Sequence, residues 1–243
     1  MKLNNQTLMR ERPECTDCKV FKKSYFSTLE DEDLENLKYE KSASFYKTGQ
    51  IVFQEDSRAV GVYCLHSGKV KLYKVDNEGR EQIVRFVTPG ELFGYGSITG
   101  SRYYLVTAEA IEDSVVCFIN AVFFSELTSK NPEILKTLVT ALGTMLNDAE
   151  DRMISLARKQ VRERLAETLL NLCRKFHPEG CMNENVLNLS REDLASIVGS
   201  ATETIIRLLS EFREENLIAI EGRRIILKDV KKLKKIASYE RAF

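Results

Sequence analysis

The sequence is poor in several residue types, and each scarcity excludes a class of protein. It has no tryptophan, four prolines and two histidines among 243 residues, and its 36 basic and 36 acidic side chains cancel. No apolar run is long enough to cross a membrane, and the N-terminus has no apolar segment of the kind a signal peptide needs. We therefore expect a cytoplasmic protein of two modest domains with no membrane partner.

The scarcity of histidine also argues against an enzyme. A metal-dependent enzyme built on a barrel needs clustered histidines and carboxylates on its strands, whereas His66 and His177 are far apart and form no HxH pattern. The chain contains no P-loop, GxSxG or HExxH motif. His66 precedes Ser67-Gly68 at a predicted turn, which favours a surface position over a haem ligand. We expect no enzymatic activity.

The first half of the chain has the pattern of an antiparallel β-barrel or roll. Eight of the twelve glycines fall between Gly49 and Gly100. Short apolar–polar alternations such as 70–73 and 83–87 lie between them, and turn-forming residues recur at 76–79 and 89–90. Short strands at this spacing are typical of a barrel or roll running from about Phe45 to Ile119.

A long helix is predicted next. Asn131 is a suitable N-cap and Pro132 a suitable first residue, and no proline interrupts 133–177. A narrow apolar stripe follows with mostly heptad-like spacing, broken by Arg152. Such a stripe packs either on its own sheet or on a second copy, and its length favours a homodimer. Its members are Leu135, Leu138, Leu142, Met145, Ala149 and Leu156.

The last third carries the pattern of a DNA-reading motif. Ser190 and Asp193 resemble a capping box that opens one helix, and Gly199 provides the turn before a second helix near Thr202. Buried positions Ile205 and Leu208 complete the spacing of a helix-turn-helix. The early exposed positions of the second helix reach base edges when such a helix enters the major groove. They are Thr202, Glu203, Ile206 and Arg207.

Glu203 and Arg207 allow two interpretations. Four residues apart, they would form an ordinary helix-stabilising ion pair, or they would read a cytosine amino group and a guanine edge. Within a helix-turn-helix we favour base reading. Residues 159–243 hold 16 Lys+Arg against 13 Asp+Glu, a net charge of +3 that agrees weakly with DNA contact.

Two further groups of residues are predicted to lie near the DNA. Residues 217–220 and 225–227 form a predicted hairpin, or wing, whose tip carries Arg223 and Arg224 as phosphate contacts. Ser190 and Arg191, at the start of the first helix, are also assigned to DNA. The four lysines of 231–235 are interpreted mainly as a solvated face, with phosphate contact as the lesser alternative.

These motifs together resemble the Crp/Fnr family of bacterial regulators. The resemblance runs from about Phe26 onward and includes the glycine-spaced roll, Asn131-Pro132, 164–166 and 202–207. It implies an α+β protein with a cyclic-nucleotide-binding-type β-roll (a double-stranded jelly roll), a long dimerisation helix and a C-terminal winged helix-turn-helix. The implied divisions are an extension with a CxxC motif (1–24), the sensor roll (25–130), the dimerisation helix (131–158) and the DNA-binding domain (159–243).

The resemblance also implies where a cyclic nucleotide would bind. Tyr95 replaces the ribose-binding glutamate of cAMP binders, and Tyr104 and Leu105 stand in place of their phosphate-binding Arg-Ser pair. Ala149 and Glu150 replace the adenine contacts. A buried phosphate without its arginine would be unpaired, which is costly. We expect that cAMP is not the effector and that Glu91, Tyr95, Tyr104 and Leu105 mark a vestigial pocket.

The cysteines resemble part of another family site. Fnr proteins hold a [4Fe–4S] cluster through three N-terminal cysteines and one in the roll, and Cys15, Cys18 and Cys117 match three of these positions. Ser24 stands at the fourth, so that Asp17 or a further cysteine such as Cys64 would have to complete an iron–sulfur site. The alternative is an incidental CxxC and a core position for Cys117.

The sequence thus predicts a DNA-binding transcription regulator. It would act as a homodimer on a two-fold symmetric double-stranded site, with RNA polymerase as a partner and redox or iron–sulfur sensing as the favoured input. A non-enzymatic ligand-binding signalling subunit is the alternative class. The missing phosphate arginine and the intact helix-turn-helix argue against it.

Overall fold

The computed structural model describes residues 15, 18, 20–97, 102–177 and 186–237. They divide into two compact units. The first unit contains Met1–Lys74 and Val84–Met145, and the second contains Val75–Ile83 and Leu146–Phe243. Asp17 and Cys181 lie outside the described residues.

The first unit is an antiparallel roll with helices before and after it. A 3-10 turn at Phe21–Lys23 precedes helix α1 (Asp31–Glu40), and α2 (Ala121–Lys130) and the start of α3 (Pro132–Arg158) follow the strands. The strands are β1 (Ser42–Tyr46), β2 (Ile51–Phe53), β3 (Gly61–Ser67), β4 (Val70–Val75), β5 (Glu81–Val87), β6 (Leu92–Phe93), β7 (Thr107–Ala110) and β8 (Ser114–Asn120). The end of β4 and the first three residues of β5 are grouped with the second unit.

These strands form two four-stranded sheets, ordered β1-β8-β3-β6 and β2-β7-β4-β5. Side chains alternate between the two faces of a strand, so β3 contributes to two separate cores. Tyr63 and Leu65 face the core shared with the second sheet, whereas Val62 and Cys64 face a core that includes residues of α1, α2 and α3. The roll predicted from the glycine spacing is present.

The second unit is built from short helices and a three-stranded sheet. Its helices are the end of α3, α4 (Val161–Phe176), α5 (Arg191–Val198), α6 (Thr202–Glu214) and α7 (Val230–Ile236). Its sheet pairs β10 (Ile218–Glu221), β11 (Arg224–Leu227) and β9 (Val186–Asn188) in the order β10-β11-β9. The wing hairpin is as predicted, while β9 was not predicted because a three-residue strand carries almost no periodicity.

The junction before the long helix differs from the sequence-based expectation in one respect. Pro132 is the first residue of α3, as predicted. The Asn131 side chain, however, is engaged outside α3, because its amide nitrogen donates hydrogen bonds to Asp33 Oδ2 at 2.7 Å and to the Leu127 carbonyl at 3.0 Å. Asn131 therefore joins α1 to the end of α2.

Candidate functional site

The helix-turn-helix is formed by α5, the turn at 199–201 and α6. The Ser190 hydroxyl accepts a hydrogen bond from the Asp193 backbone N–H at 2.9 Å and so caps α5. Gly199 ends α5 with a φ of 71°, in the left-handed region that favours glycine. The Ser190 cap and the glycine turn predicted from the sequence are both present, and the Ser190 hydroxyl also donates to Asp193 Oδ2 at 2.8 Å.

Arg164 on α4 holds this turn in place. Its guanidinium donates to the carbonyls of Val198 at 3.1 Å and Gly199 at 2.9 Å, and to the Lys159 carbonyl at 3.0 Å. The sequence singled out Arg164 only as part of the family resemblance. Arg164 therefore positions the turn, because its side chain joins the end of α5 to the segment that precedes α4.

The two faces of α6 have different roles. Ile205, Leu208 and the later apolar residues of that face are buried in the unit. Glu203, Ile206 and Arg207 are exposed on the opposite face, and Thr202 is half-buried. Glu203 and Arg207 both belong to the described part of the chain, and neither has an ion-pair partner there. The ion-pair interpretation of Glu203 and Arg207 therefore has no support in this geometry.

The wing lies beside the start of α5. Gly222 occupies the turn between β10 and β11 with a φ of 60°, and its carbonyl accepts a hydrogen bond from Arg191 Nη2 at 3.0 Å. Arg191 Nη1 is buried without a hydrogen-bond partner among the described residues. Burial lowers the pKa of Arg191 from its usual range. Arg223 is exposed at the turn, and Arg224 lies 3.4 Å from Glu221 Oε2.

Comparison with known proteins agrees with this arrangement. Residues 43–131 match the cyclic nucleotide-binding domain and residues 163–236 match the Crp-like helix-turn-helix domain. The fumarate and nitrate reduction regulatory protein of Escherichia coli (strain K12) is 30% identical over 230 residues, which cover 93% of this chain and 91% of that protein. This chain belongs to the Crp/Fnr family. It is a DNA-binding transcription regulator of the Crp/Fnr type.

Solved structures of the family share the fold. FixK2 from Bradyrhizobium japonicum superposes with a TM-score of 0.71 at 27% identity, covering 81% of this chain and 96% of FixK2. The CRP/FNR family regulator TTHA1359 from Thermus thermophilus gives a TM-score of 0.65 at 28% identity, covering 81% of this chain and 98% of TTHA1359. The predicted α+β architecture of a roll, a long helix and a C-terminal helix-turn-helix is confirmed.

The interior of the roll is filled by aromatic rings. Tyr104 is 3% exposed and stacks on Phe53 with ring centroids 4.0 Å apart. Its hydroxyl donates to the Gly61 carbonyl at 2.9 Å. Tyr63 and Phe93 continue the stack at 5.1 Å and 5.9 Å from Phe53. A ring that is buried, stacked and hydrogen-bonded belongs to the core and leaves no phosphate-binding group at this position.

Glu91 and Tyr95, of the predicted vestigial pocket, share Arg85, whose Nη1 lies 4.0 Å from Glu91 Oε2 and whose guanidinium carbon lies 6.0 Å from the Tyr95 ring centroid. Glu91 Oε2 accepts from the Thr88 backbone N–H at 2.7 Å, and the Tyr95 hydroxyl contacts the Met145 sulfur at 2.6 Å. Leu105 is 54% exposed. Glu91 and Tyr95 thus lie together at Arg85, whereas Tyr104 belongs to the aromatic core and Leu105 is exposed.

The apolar stripe of α3 divides into two faces. Leu138 packs against the helix-side core of the first unit, and Met145 is half-buried beneath Tyr95. The exposed residues follow each other by steps of four and three, as in a coiled-coil seam. They are Leu135, Val139, Leu142, Leu146, Ala149, Met153 and Leu156. Sequence reasoning missed Val139, Leu146 and Met153, although the same spacing could have found them.

The thiols of the first unit gather on the helix side of the roll. Cys15, Cys64 and Cys117 are buried in one apolar cluster, and Cys18 is half-buried near it. Lys41 Nζ donates to Cys15 Sγ at 3.0 Å. Burial raises the pKa of Cys117 to about 11, so the metal-free thiol is protonated at neutral pH. The predicted Cys15, Cys18 and Cys117 therefore share one region of the fold.

His66 is not the surface turn residue that the sequence predicted. It lies in β3, half-buried, with Nδ1 3.2 Å from Cys18 Sγ. Burial, followed by the charge of Lys41, holds the pKa of His66 below its usual range. The turn begins later than expected, at Gly68, whose φ is 92°.

The chemistry of the donor set fits iron–sulfur ligation, since thiolate sulfur is the usual ligand of such clusters. Within the described residues no three Cys, His, Asp or Glu side chains already converge as a metal site. Cys15 and Cys18 point instead at Lys41 and His66. The residues fit an iron–sulfur group in type, since four cysteines lie in or beside one buried cluster, and binding would require Cys15 and Cys18 to exchange these partners.

None of the helices in the described ranges combines the length and hydropathy needed to span a bilayer.

Proposed function

We propose that this regulator acts as a homodimer, reads a two-fold symmetric DNA site through α6, and responds to redox state through the thiols of its first unit. The observation that carries the DNA-reading part is the exposed trio Glu203, Ile206 and Arg207 near the start of α6. In a helix-turn-helix, the N-terminal residues of the second helix contact base edges. RNA polymerase is the expected partner of a regulator bound in this way.

Each side chain of this face suits a different base edge. Arg207 presents a planar fork for the O6 and N7 atoms of guanine, and Glu203 accepts from the N4 amino group of cytosine. Ile206, which is 48% exposed, suits contact with a thymine methyl group. Thr202 lies at the first turn, where a hydroxyl bonds to a base or a phosphate.

A second set of residues is proposed to hold the DNA backbone. Arg223 and Arg224 extend from the wing turn, and Ser190 and Arg191 lie where α5 begins. Arg191 already supports the wing by donating from Nη2 to the Gly222 carbonyl, which places it beside the proposed phosphate contacts of the wing. Such contacts position the protein on the duplex without carrying sequence information.

The dimer is proposed to form along the exposed seam of α3. Leu135, Leu142, Ala149 and Leu156 of the original stripe belong to it, while Leu138 and Met145 face their own unit. Adding Val139, Leu146 and Met153 turns an interrupted stripe into a continuous heptad pattern. Arg152, which interrupts the stripe in the sequence, shares the heptad position of Leu138 and Met145 and so lies outside the seam.

The input is proposed to be redox state and not cAMP. Tyr104 fills the interior where a phosphate would need a cation, whereas Cys15, Cys18 and Cys117 supply sulfur ligands in a neighbouring region. When bound, an iron–sulfur cluster supplies one-electron redox chemistry. We propose that the extension 1–24 and the roll 25–130 sense the input, that 131–158 forms the dimer and that 159–243 binds DNA.

The DNA-reading proposal is tested with Arg207→Ala. A site is first selected from randomised duplexes by the wild-type protein, and affinities are measured by fluorescence anisotropy at one fixed salt concentration. We expect the variant to lose about 1–3 kcal/mol per half-site at one guanine, the range for a bidentate base contact. Substituting that guanine should then cost the variant almost nothing.

Arg213→Ala is the matched control. Arg213 is exposed on the same helix but lies in its last turn, far from the end that enters the groove. The substitution removes the same charge and should retain the wild-type base preference. Wild-type affinity and base preference in Arg207→Ala would refute base reading by Arg207.

A further inference from the structure

Cys64 and Cys117 are neighbours across two strands of the roll. Their Cα atoms are register partners in the antiparallel pair β3–β8. Both side chains lie on the helix side of the sheet, where they share one buried cluster with Cys15. Directly opposed residues of an antiparallel pair have Cβ atoms within about 4.5–5.5 Å of each other, so the two thiols occupy one site.

Cys18 reaches the same part of the sheet. Its sulfur lies 3.2 Å from Nδ1 of His66, which follows Cys64 by two residues on β3. Cys18 is also joined to Cys15 by a turn, in which the Cys18 backbone N–H donates to the Cys15 carbonyl at 3.3 Å. Cys18 therefore lies beside the buried cluster that contains Cys15, Cys64 and Cys117.

Ser24, at the position where the family resemblance expects a third N-terminal cysteine, is engaged elsewhere. Its hydroxyl donates to the Phe21 carbonyl at 2.7 Å and accepts from the Phe26 backbone N–H at 3.3 Å. These bonds fix the turn that follows Phe21–Lys23. A serine hydroxyl is also a hard oxygen donor, which suits iron–sulfur clusters less well than thiolate.

We propose that Cys64 is the fourth sulfur ligand of an iron–sulfur site whose other ligands are Cys15, Cys18 and Cys117. The assignment rests on the redox input proposed above, and it moves the missing ligand from the N-terminal segment to strand β3. The site would draw two ligands from adjacent strands and two from the CxxC segment.

Lys41 supports a thiolate site at this position. It is 7% exposed, and its ammonium group lies 3.0 Å from Cys15 Sγ. Four thiolates bring negative charge into an apolar core, and a buried cation nearby offsets part of the desolvation cost of that charge. Lys41 is therefore a positioning and charge-balancing residue, not a ligand.

The test is anaerobic reconstitution of the full chain with ferrous iron and sulfide. Iron and acid-labile sulfide per protomer are measured together with the absorbance spectrum, for wild type, Cys64→Ala, Cys117→Ala and the control Cys173→Ala. Cys173 is a buried cysteine of α4 in the second unit. We expect the iron content of Cys64→Ala and of Cys117→Ala to fall about tenfold or more below that of the wild type. Loss of a residue that only hydrogen-bonds to a metal ligand already lowers metal affinity by about 10–100-fold, and loss of a ligand should cost no less.

The outcomes separate this inference from the proposed function. Wild-type iron content in Cys64→Ala, with loss in Cys117→Ala, would overturn the role of Cys64 and leave the redox proposal standing. Wild-type protein that takes up neither iron nor sulfide would overturn both. If Cys64→Ala lacks a cooperative thermal transition, Cys64→Val, which fills a similar volume and has no ligating atom, is used instead. Retained iron in that variant refutes the assignment equally.

Discussion

Polar side chains have opposite environments in the two units of this protein. In the first unit, polar groups at the positions matching a ligand pocket are turned inward or bonded to the backbone, as Tyr104 is to Gly61. In the second unit, Glu203 and Arg207 remain exposed and without ion-pair partners among the described residues. A buried, satisfied side chain stabilises a fold, while an exposed, unpaired one is available to a partner.

This difference agrees with the changed input that we propose. The DNA-facing residues need only a correctly placed helix, which Arg164, the Ser190 cap and Gly199 provide locally. A ligand pocket depends on charged groups that are costly to keep buried without their ligand. Their replacement by stacked aromatic rings makes the roll a packed core, and the thiols on its other side remain as the candidate sensor.

The largest expected effect tests whether the roll interior is core or pocket. Tyr104→Ala removes a buried ring that stacks on Phe53 and should destabilise the protein by about 3–5 kcal/mol, the range for large aromatic truncations. Chemical denaturation followed by circular dichroism measures the change. Tyr39→Ala, at a tyrosine that is 81% exposed, is the control and should shift stability by less than about 0.5 kcal/mol. Equal stability of both variants would mean that the interior is an open pocket.

A smaller effect is expected at the seam of α3, which belongs to both units. Leu146→Glu should weaken the dimer by about 1.5–3 kcal/mol per protomer, since an exposed leucine loses its burial against the second copy. Sedimentation velocity over a concentration series reports the dissociation constant. Thr144→Glu, on the opposite side of the same helix, adds the same charge and should leave the dimer intact. A shift of similar size in both variants would argue against this seam.

The smallest effect separates positioning from reading within the second unit. Arg223→Ala should weaken binding to all sequences alike. It should also reduce the slope of log affinity against log salt by about 0.9 for each phosphate that the side chain neutralises. Titrations at several salt concentrations on the selected site and on an unrelated duplex provide the measurement. If the affinity falls only for the selected site, Arg223 reads a base as Arg207 does, and the proposed phosphate contact is wrong.

Much of this architecture is encoded in short-range patterns. The Ser190–Asp193 cap, the left-handed turn at Gly199 and the first residue of α3 at Pro132 depend on residues within a few positions of one another. Local backbone chemistry decides such features, so the sequence predicts them. The apolar spacing of α6 likewise predicted which side faces inward.

The features that could not be predicted involve distant partners. The Asn131 amide bonds to Asp33, His66 meets Cys18, and Lys41 meets Cys15, across separations of 26 to 98 residues. Periodicity says that a residue is inside but not what it touches. For the same reason the stripe of α3 was assigned to a single face, although Leu138 and Met145 have partners in their own unit.

The order of a roll, a long helix and a DNA-reading motif could be predicted from the amino-acid sequence, because turn chemistry, caps and hydrophobic period act over a few residues. The closure of the roll interior by Tyr104 and the position of Cys64 opposite Cys117 emerged from the three-dimensional packing alone. Strand pairing and side-chain packing join residues far apart in the chain, and the register of one strand against another sets which thiols become neighbours.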